Sequence, residues 1–145
     1  MIKLIYRIFG SFLSRFIDTD RLADHFPVSV KALIREEGRV LMLLNERGEW
    51  DFPGGKLEKE SSIIETLIEE VKEETNLSIQ ASRLLYLDKN RVYRTDVVVI
   101  VYEAHISAPN AIKISHEHFD YRFAEPEALI SDLSSPEWVK LAIKA

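Results

Sequence analysis

The sequence predicts an α/β protein from two kinds of pattern. Runs rich in β-branched and other apolar residues, at 28–34, 40–44 and 92–106, have the composition of strands. The stretch that begins at Ser62 instead repeats its apolar residues at helical spacing. Strand patterns lie both before and after this helix in the chain, and together they indicate the α/β class.

Composition limits the function classes that need to be considered. A chain of 145 residues, 46% hydrophobic and 30% charged, is long enough for one soluble domain with an ordinary core. Its net charge of −5 argues against a partner that is a nucleic acid polymer, because phosphate backbones need a basic face. The absence of cysteine excludes disulfides, thiolate zinc sites and a cysteine nucleophile, and it fits a cytoplasmic location.

The first 17 residues predict an amphipathic helix. Their apolar side chains gather on one side of a helical wheel, and Lys3, Arg7 and Arg15 lie opposite. These charges argue against a signal peptide and against a membrane span. We expect residues 1–25, the helix and its spacer, to pack on residues 26–145 or on the partner in a homodimer. Attachment to a membrane surface is the less favoured alternative.

A strand pair and a loop follow this segment. The runs 28–34 and 40–44 predict two strands, and Glu36–Gly38 between them reads as a hairpin turn. The next loop, at 45–48, leads to Trp50, which we expect to lie half in the core and half in a pocket wall.

The central helix is predicted to begin directly after a glycine turn at Pro53–Gly55. Ser62 and Glu65 have the spacing of a capping box, which sets the start of the helix. An apolar stripe fixes the direction of the helix against the core; its residues are Ile64, Leu67, Ile68 and Val71.

Three carboxylates near the end of this helix carry the chemistry. Glu70, Glu73 and Glu74 stand at i, i+3 and i+4, so they share one face and repel each other unless a cation joins them. Hard oxygen ligands of this kind suit Mg²⁺. A solvated acidic helix face is the simpler alternative.

The second half of the chain predicts more strands and two short helices. Runs at 77–87 and 92–106 read as strands joined by a hairpin at 88–90, the second strand being central. An aromatic-rich strand and a helix starting at Pro126 follow, and another helix starts at 135–137.

The segment from Trp50 to Leu77, WDFPGGKLEKESSIIETLIEEVKEETNL, resembles the box of the Nudix hydrolases. That box reads G, five residues, E, seven residues, then R-E-U-x-E-E-x-G-U with U apolar. The matching positions are Gly55, Glu70, Val71, Glu73, Glu74 and Leu77.

Three positions depart from the family pattern. Asn76 replaces the last glycine, which is a mild change because Asn also adopts the left-handed helix cap. Ser61 replaces the loop glutamate, and Glu69 replaces the arginine that helps to hold the catalytic glutamates in the family. Glu69 therefore adds a fourth carboxylate beside the cluster, which should raise carboxylate pKa values.

The resemblance implies an α/β/α sandwich with a mixed central sheet, and a Nudix hydrolase domain over residues 26–145. It implies a diphosphohydrolase that cleaves the phosphoanhydride of a nucleoside diphosphate linked to another moiety, with Mg²⁺ or Mn²⁺ as cofactor. The metal ligands would be Gly55 through its carbonyl, Glu70, Glu73 and Glu74. Glu117, which matches a family E-H motif with His118, joins Glu70 and Glu73 as a candidate base.

Substrate contacts are expected around this centre, from Arg47, Trp50, Lys56, Glu58, Arg91 and Arg94. Dinucleoside polyphosphates, ADP-ribose, nucleotide sugars and nucleoside triphosphates all remain open as substrates. Two alternatives to an active enzyme also remain. One is a degenerate domain that binds a nucleotide or metabolite without turnover, which Ser61 and Glu69 favour, and the other is a structural interaction module.

Overall fold

The computed structural model describes residues 25–92, 94–108 and 110–145. The predicted N-terminal helix lies outside these residues. Among the helices that are described, none combines the length and the apolar character needed to cross a membrane.

The described residues form seven strands and three helices. The strands are β1 (Val28–Glu36), β2 (Arg39–Asn45), β3 (Trp50–Asp51), β4 (Gly54–Lys56), β5 (Ser78–Val92), β6 (Thr95–Ala108) and β7 (His118–Ala124). The helices are α1 (Ile63–Thr75), α2 (Pro126–Ser131) and α3 (Glu137–Lys144).

The sheet is mixed, as the resemblance to the Nudix hydrolases implies. Its strands follow the order β3-β2-β1-β6-β5, with β4 also paired to β1 and β7 to β2. β1 runs parallel to β6 and antiparallel to β2 and β4. β1 therefore lies in the interior of the sheet and carries the short strand of the glycine turn on its backbone.

Alternation along β1 divides the core into two clusters, one on each face of the sheet. Val30, Ala32 and Ile34 are fully buried in a cluster that includes Leu67 and Val71 of α1. Leu33 points to the opposite cluster, which α2 and α3 cover with apolar side chains. These helices on two faces make the α/β/α sandwich, and the fold prediction is confirmed.

The predicted hairpin at residues 88–90 is wrong. β5 continues through these residues to Val92, and it pairs antiparallel with β6 from Thr95 onward. β5 lies at the edge of the sheet, so the polar side chains of Asp88 and Lys89 are exposed while their backbone remains paired. Strand pairing here outweighs the local turn preference of polar residues.

Both predicted ends of α1 are confirmed. The Ser62 hydroxyl accepts from the Glu65 backbone N–H, and the Glu65 carboxylate accepts from the Ser62 N–H, at 3.2 and 2.9 Å. Asn76 ends the helix in the left-handed conformation, with φ of 64°. The predicted apolar stripe is wrong at Ile68, which is 38% exposed, because the helix turns Glu74 toward the core instead.

Candidate active site

The glycine turn is fixed by the backbone of β1. The Ala32 N–H donates to the Pro53 carbonyl at 2.8 Å, and Lys31 pairs with Gly54 across the β1–β4 ladder. Gly54 has a φ of +133°, and a Cβ there would overlap the carbonyl oxygen of Val30. Only glycine fits this close approach of two backbones.

Glu74 reaches from α1 into this turn. The Gly54 N–H donates to its Oε2 at 2.7 Å, and its Oε1 lies 3.7 Å from Nε2 of His118. Burial raises the pKa of Glu74 to about 7; the Gly54 hydrogen bond and Lys31 oppose this shift, and the nearby Glu70 carboxylate adds to it. The carboxylate is therefore anchored, and it titrates near neutral pH.

Glu70 lies directly against Gly55. A Cβ on Gly55 would overlap the Glu70 carboxylate, so the absence of a side chain makes room for it. Burial raises the pKa of Glu70, and the charges of Glu73, Glu117 and Glu58 raise it further. Burial thus makes the largest contribution and these carboxylates add to it, whereas Glu69, expected to raise carboxylate pKa values, is exposed on α1.

These carboxylates suit a hard divalent cation. Among the described residues, no three acidic or histidine side chains have the spacing of a closed metal site. Mg²⁺ does not require such a cage, because it keeps several waters and is usually held by one or two carboxylates together with substrate phosphates. Crowded carboxylates with raised pKa values, beside a glycine carbonyl, fit that kind of open site.

His118 packs beside Glu74 as a neutral ring. Its Nδ1 lies 3.3 Å from the hydroxyl oxygen of Ser115. Burial and the charge of Lys31 lower the pKa of His118, although Glu117 partly opposes this. Its contact with Glu74 is therefore not an ion pair at neutral pH.

Two adjoining cavities open at this place. The smaller, of about 310 Å³, is lined by Lys31, Asn45, Glu46, Arg47, Asp51, Phe52, Glu74, Glu117 and His118. The larger, of about 860 Å³, shares Lys31, Arg47 and Asp51 with the smaller one. Together these two adjoining cavities are the cleft beside the glycine turn.

The cleft includes most of the predicted substrate contacts. Arg47 lines both cavities, and Trp50, Lys56 and Arg91 line the larger one. Arg94 is not one of the described residues that line the cleft. It is exposed between β5 and β6.

Glu58 and Glu73 are exposed and line neither cavity. The structure thus brings Glu70, Glu74 and Glu117 together, with Glu73 beside them.

Trp50 occupies the intermediate position expected for it. It is half-buried, packs against the core cluster of α2 and α3, and lines the larger cavity. The guanidinium of Arg122 stacks on its ring at 4.2 Å from the centroid, which holds the indole in place.

Sequence reasoning missed Lys31 and Asp51. The Lys31 ammonium lies 2.9 Å from Asp51 Oδ2 and also donates to the carbonyls of Phe52 and Gly54. A signal for it was present, since a lysine interrupts the apolar strand VSVKALI. Its partner could not be read from the sequence, because the pairing depends on how the turn folds back on β1.

The comparison with known proteins agrees with this fold. Residues 25–142 match the model of the NUDIX domain. The chain therefore belongs to the Nudix family, whose members hydrolyse nucleoside diphosphate derivatives, and the prediction of a diphosphohydrolase is confirmed at that level.

Three relatives illustrate the similarity. The CTP pyrophosphohydrolase of Escherichia coli K12 is 25% identical over 117 residues, which are 77% of this chain and 85% of that protein. The MutT protein of Methanosarcina mazei Go1 superposes with a TM-score of 0.72 at 28% identity, covering 82% of this chain and 91% of that one. An Ap4A hydrolase of C. elegans shares the fold, with a TM-score of 0.68 at 17% identity and coverage of 81% and 91%.

Proposed function

We propose that this protein is a Mg²⁺-dependent hydrolase that cleaves the phosphoanhydride of a nucleoside diphosphate linked to another moiety. Mn²⁺ would serve in place of Mg²⁺. The observation that carries the proposal is the pairing of two carboxylates with two consecutive glycines. Glu74 accepts from the Gly54 N–H, and Glu70 lies against Gly55, beside a cleft that Glu117 also lines.

The residues that would hold the metal are Glu70, Glu73, Glu74 and the carbonyl of Gly55. When bound, the cation would neutralise diphosphate oxygens and lower the pKa of a water molecule. Glu74 is anchored by the hydrogen bond from the Gly54 N–H, so its carboxylate would bind the metal from a fixed position. Glu70 has no such anchor among its described hydrogen bonds and owes its position to the space that Gly55 leaves.

A carboxylate would accept the proton of the attacking water. Glu117, Glu70 and Glu73 are the candidates. Two observations support Glu117: it lines the smaller cavity, and its charge acts on Glu70. Each of the three glutamates is replaced by glutamine in turn. The base is identified as the residue whose replacement removes the acidic limb of the pH–rate profile.

The substrate would lie along the cleft. Arg47 and Lys56 offer positive charge to phosphate oxygens, and Trp50 offers a ring face on which a base can stack. Arg47 pairs with Glu49 at 3.2 Å on the surface, an interaction weak enough to be exchanged for a phosphate. Glu58 and Arg94 remain predicted substrate contacts at the periphery. The products would be a nucleoside monophosphate and a phosphorylated remainder.

We further infer a cytoplasmic enzyme that acts on small molecules rather than on nucleic acid polymers, because the chain is acidic and has no cysteine. Docking of residues 1–25 in a homodimer remains a prediction. It is tested by measuring the molecular mass in solution with and without residues 1–20.

The proposal is tested by product release from a panel of nucleotides with Mg²⁺ or Mn²⁺. CTP belongs in the panel because of the E. coli relative, together with other nucleoside triphosphates, ADP-ribose, nucleotide sugars and dinucleoside polyphosphates. We expect a nucleoside monophosphate from at least one class. A folded protein that binds Mn²⁺ but turns over none of these compounds would favour a binding domain without catalysis.

A further inference from the structure

Lys31 is a buried cation at the centre of the candidate site. Its neighbours in β1, Val30 and Ala32, are fully buried, and its own side chain is only 14% exposed. Burial alone would lower the pKa of Lys31. The carboxylates of Asp51, Glu74 and Glu70 more than offset this, so the pKa is raised and the ammonium stays charged.

The ammonium has three protein acceptors, which equals its number of N–H donors. They are Asp51 Oδ2 at 2.9 Å, the Gly54 carbonyl at 3.2 Å and the Phe52 carbonyl at 3.3 Å. These acceptors come from both sides of Pro53. Lys31 therefore closes the turn on itself, in addition to the backbone hydrogen bond from Ala32 to Pro53.

The same turn sets the positions of two proposed metal ligands. The Gly54 N–H holds Glu74, while Gly55 leaves the space that Glu70 occupies. The Gly54 carbonyl that Lys31 binds belongs to the peptide between these two glycines. A change at Lys31 thus acts on both glutamates through Gly54, whose N–H and carbonyl belong to two successive peptide units.

We propose that Lys31 is a positioning residue for the metal site. It fixes the Asp51–Gly54 turn so that Glu70, Glu74 and the Gly55 carbonyl face one point. This inference rests on the proposed function and adds to it a residue that lies outside the family box.

A positioning role and a purely electrostatic role of Lys31 predict opposite effects of its removal on Mn²⁺ affinity. Lys31→Met removes a positive charge near the carboxylates, so a purely electrostatic role predicts tighter Mn²⁺ binding. A positioning role predicts weaker binding, because the turn loses its clamp. Loss of a residue that orients metal ligands typically costs about 10- to 100-fold in affinity or activity.

Asp51→Asn provides a second variant with the reverse change in charge. The Asp51 Oδ1 accepts from the Phe52 N–H at 2.7 Å, so an asparagine that keeps this bond turns its amide group toward Lys31 and breaks the clamp. Lys89→Met is the matched control, since Lys89 pairs with Asp96 at 3.5 Å on the surface and lines neither cavity.

The experiment measures Mn²⁺ affinity by electron paramagnetic resonance and kcat and KM on the best substrate. We expect Lys31→Met and Asp51→Asn both to bind Mn²⁺ at least tenfold more weakly, with the loss of rate mainly in kcat and with Lys89→Met unchanged. Opposite shifts in the two variants, or affinities equal to the wild type, would overturn the inference.

If Lys31→Met does not fold, Asp51→Asn is compared with Asp51→Glu, which keeps the charge but moves the carboxylate. A positioning role predicts weaker Mn²⁺ binding in both variants, whereas wild-type affinity in Asp51→Glu would overturn the inference. Failure of the proposed function has a different signature, because the wild type itself would then turn over no substrate, whether or not it binds Mn²⁺.

Discussion

The two consecutive glycines of the turn offer a matched pair of substitutions with different expected outcomes. In Gly54→Ala, the new Cβ overlaps the Val30 carbonyl oxygen and lies 2.9 Å from Lys31 Cα, both parts of the rigid strand backbone. In Gly55→Ala, the nearest atoms all belong to the Glu70 carboxylate, the mobile end of a side chain. The first change should therefore damage the fold, and the second should displace a metal ligand.

The expected magnitudes follow from these contacts. Alanine at φ of +133° costs about 1–3 kcal/mol in backbone strain, and separation of the two strands adds to this. Since 1 kcal/mol lowers Tm by about 2–4 °C in a chain of about 150 residues, Gly54→Ala should lose about 10 °C. Gly55 does not have a positive φ, so Gly55→Ala should keep its Tm within a few degrees. Displacing Glu70 by about 1 Å should lower kcat/KM by about 100-fold.

The assay combines thermal unfolding, followed by circular dichroism in EDTA, with kcat/KM at saturating Mg²⁺. We expect Gly54→Ala to lose thermal stability and Gly55→Ala to lose activity. Wild-type activity in Gly55→Ala would refute the placement of Glu70 as a ligand. Wild-type stability in Gly54→Ala would refute the close packing of the turn on β1.

Three other predictions concern α1 and its surroundings. The folded pKa of Glu74, about 7, exceeds the unfolded value of 4.5, so the metal-free protein should lose stability as pH rises through that interval. Urea unfolding in EDTA should show this loss, and Glu74→Gln should reduce it, while the raised pKa of Glu70 leaves a remainder. Asn76→Ala should lower the free energy of unfolding in urea by about 1–2 kcal/mol, because φ of residue 76 is 64°. Asn76→Gly should lower it less, and equal stability of the two variants would contradict the left-handed cap. The double variant Ser61→Glu, Glu69→Arg restores the loop glutamate and the arginine of the family pattern, and it should raise kcat/KM about tenfold. An unchanged kcat/KM would mean that both departures are tolerated.

Much of the fold was predictable because local patterns and packing agree along most of the chain. The capping box at Ser62 and the cap at Asn76 fixed the ends of α1 from the sequence alone. The hairpin at 88–90 failed because pairing of the edge strand β5 with β6 compensates for the low strand preference of its polar residues.

The site was predictable only where its residues lie in one segment. Glu70, Glu73 and Glu74 share a helix face, so their spacing alone brings them together. Lys31 meets Asp51 through the folding of β4 onto β1, a contact between residues distant in sequence. Glu74 is buried where it accepts from the Gly54 N–H, and this contact with the turn likewise joins segments distant in sequence.

The most direct test of a metal-dependent hydrolase is the rate of product release as Mg²⁺ is titrated into EDTA-treated protein. The wild type is compared with a Glu73→Gln/Glu74→Gln variant whose fold is checked by circular dichroism. We predict a rate that rises to saturation with Mg²⁺ in the wild type and falls by about 100-fold or more in the variant. Turnover that is independent of Mg²⁺, or equal in the two proteins, would contradict the assignment of these glutamates as the centre of the reaction.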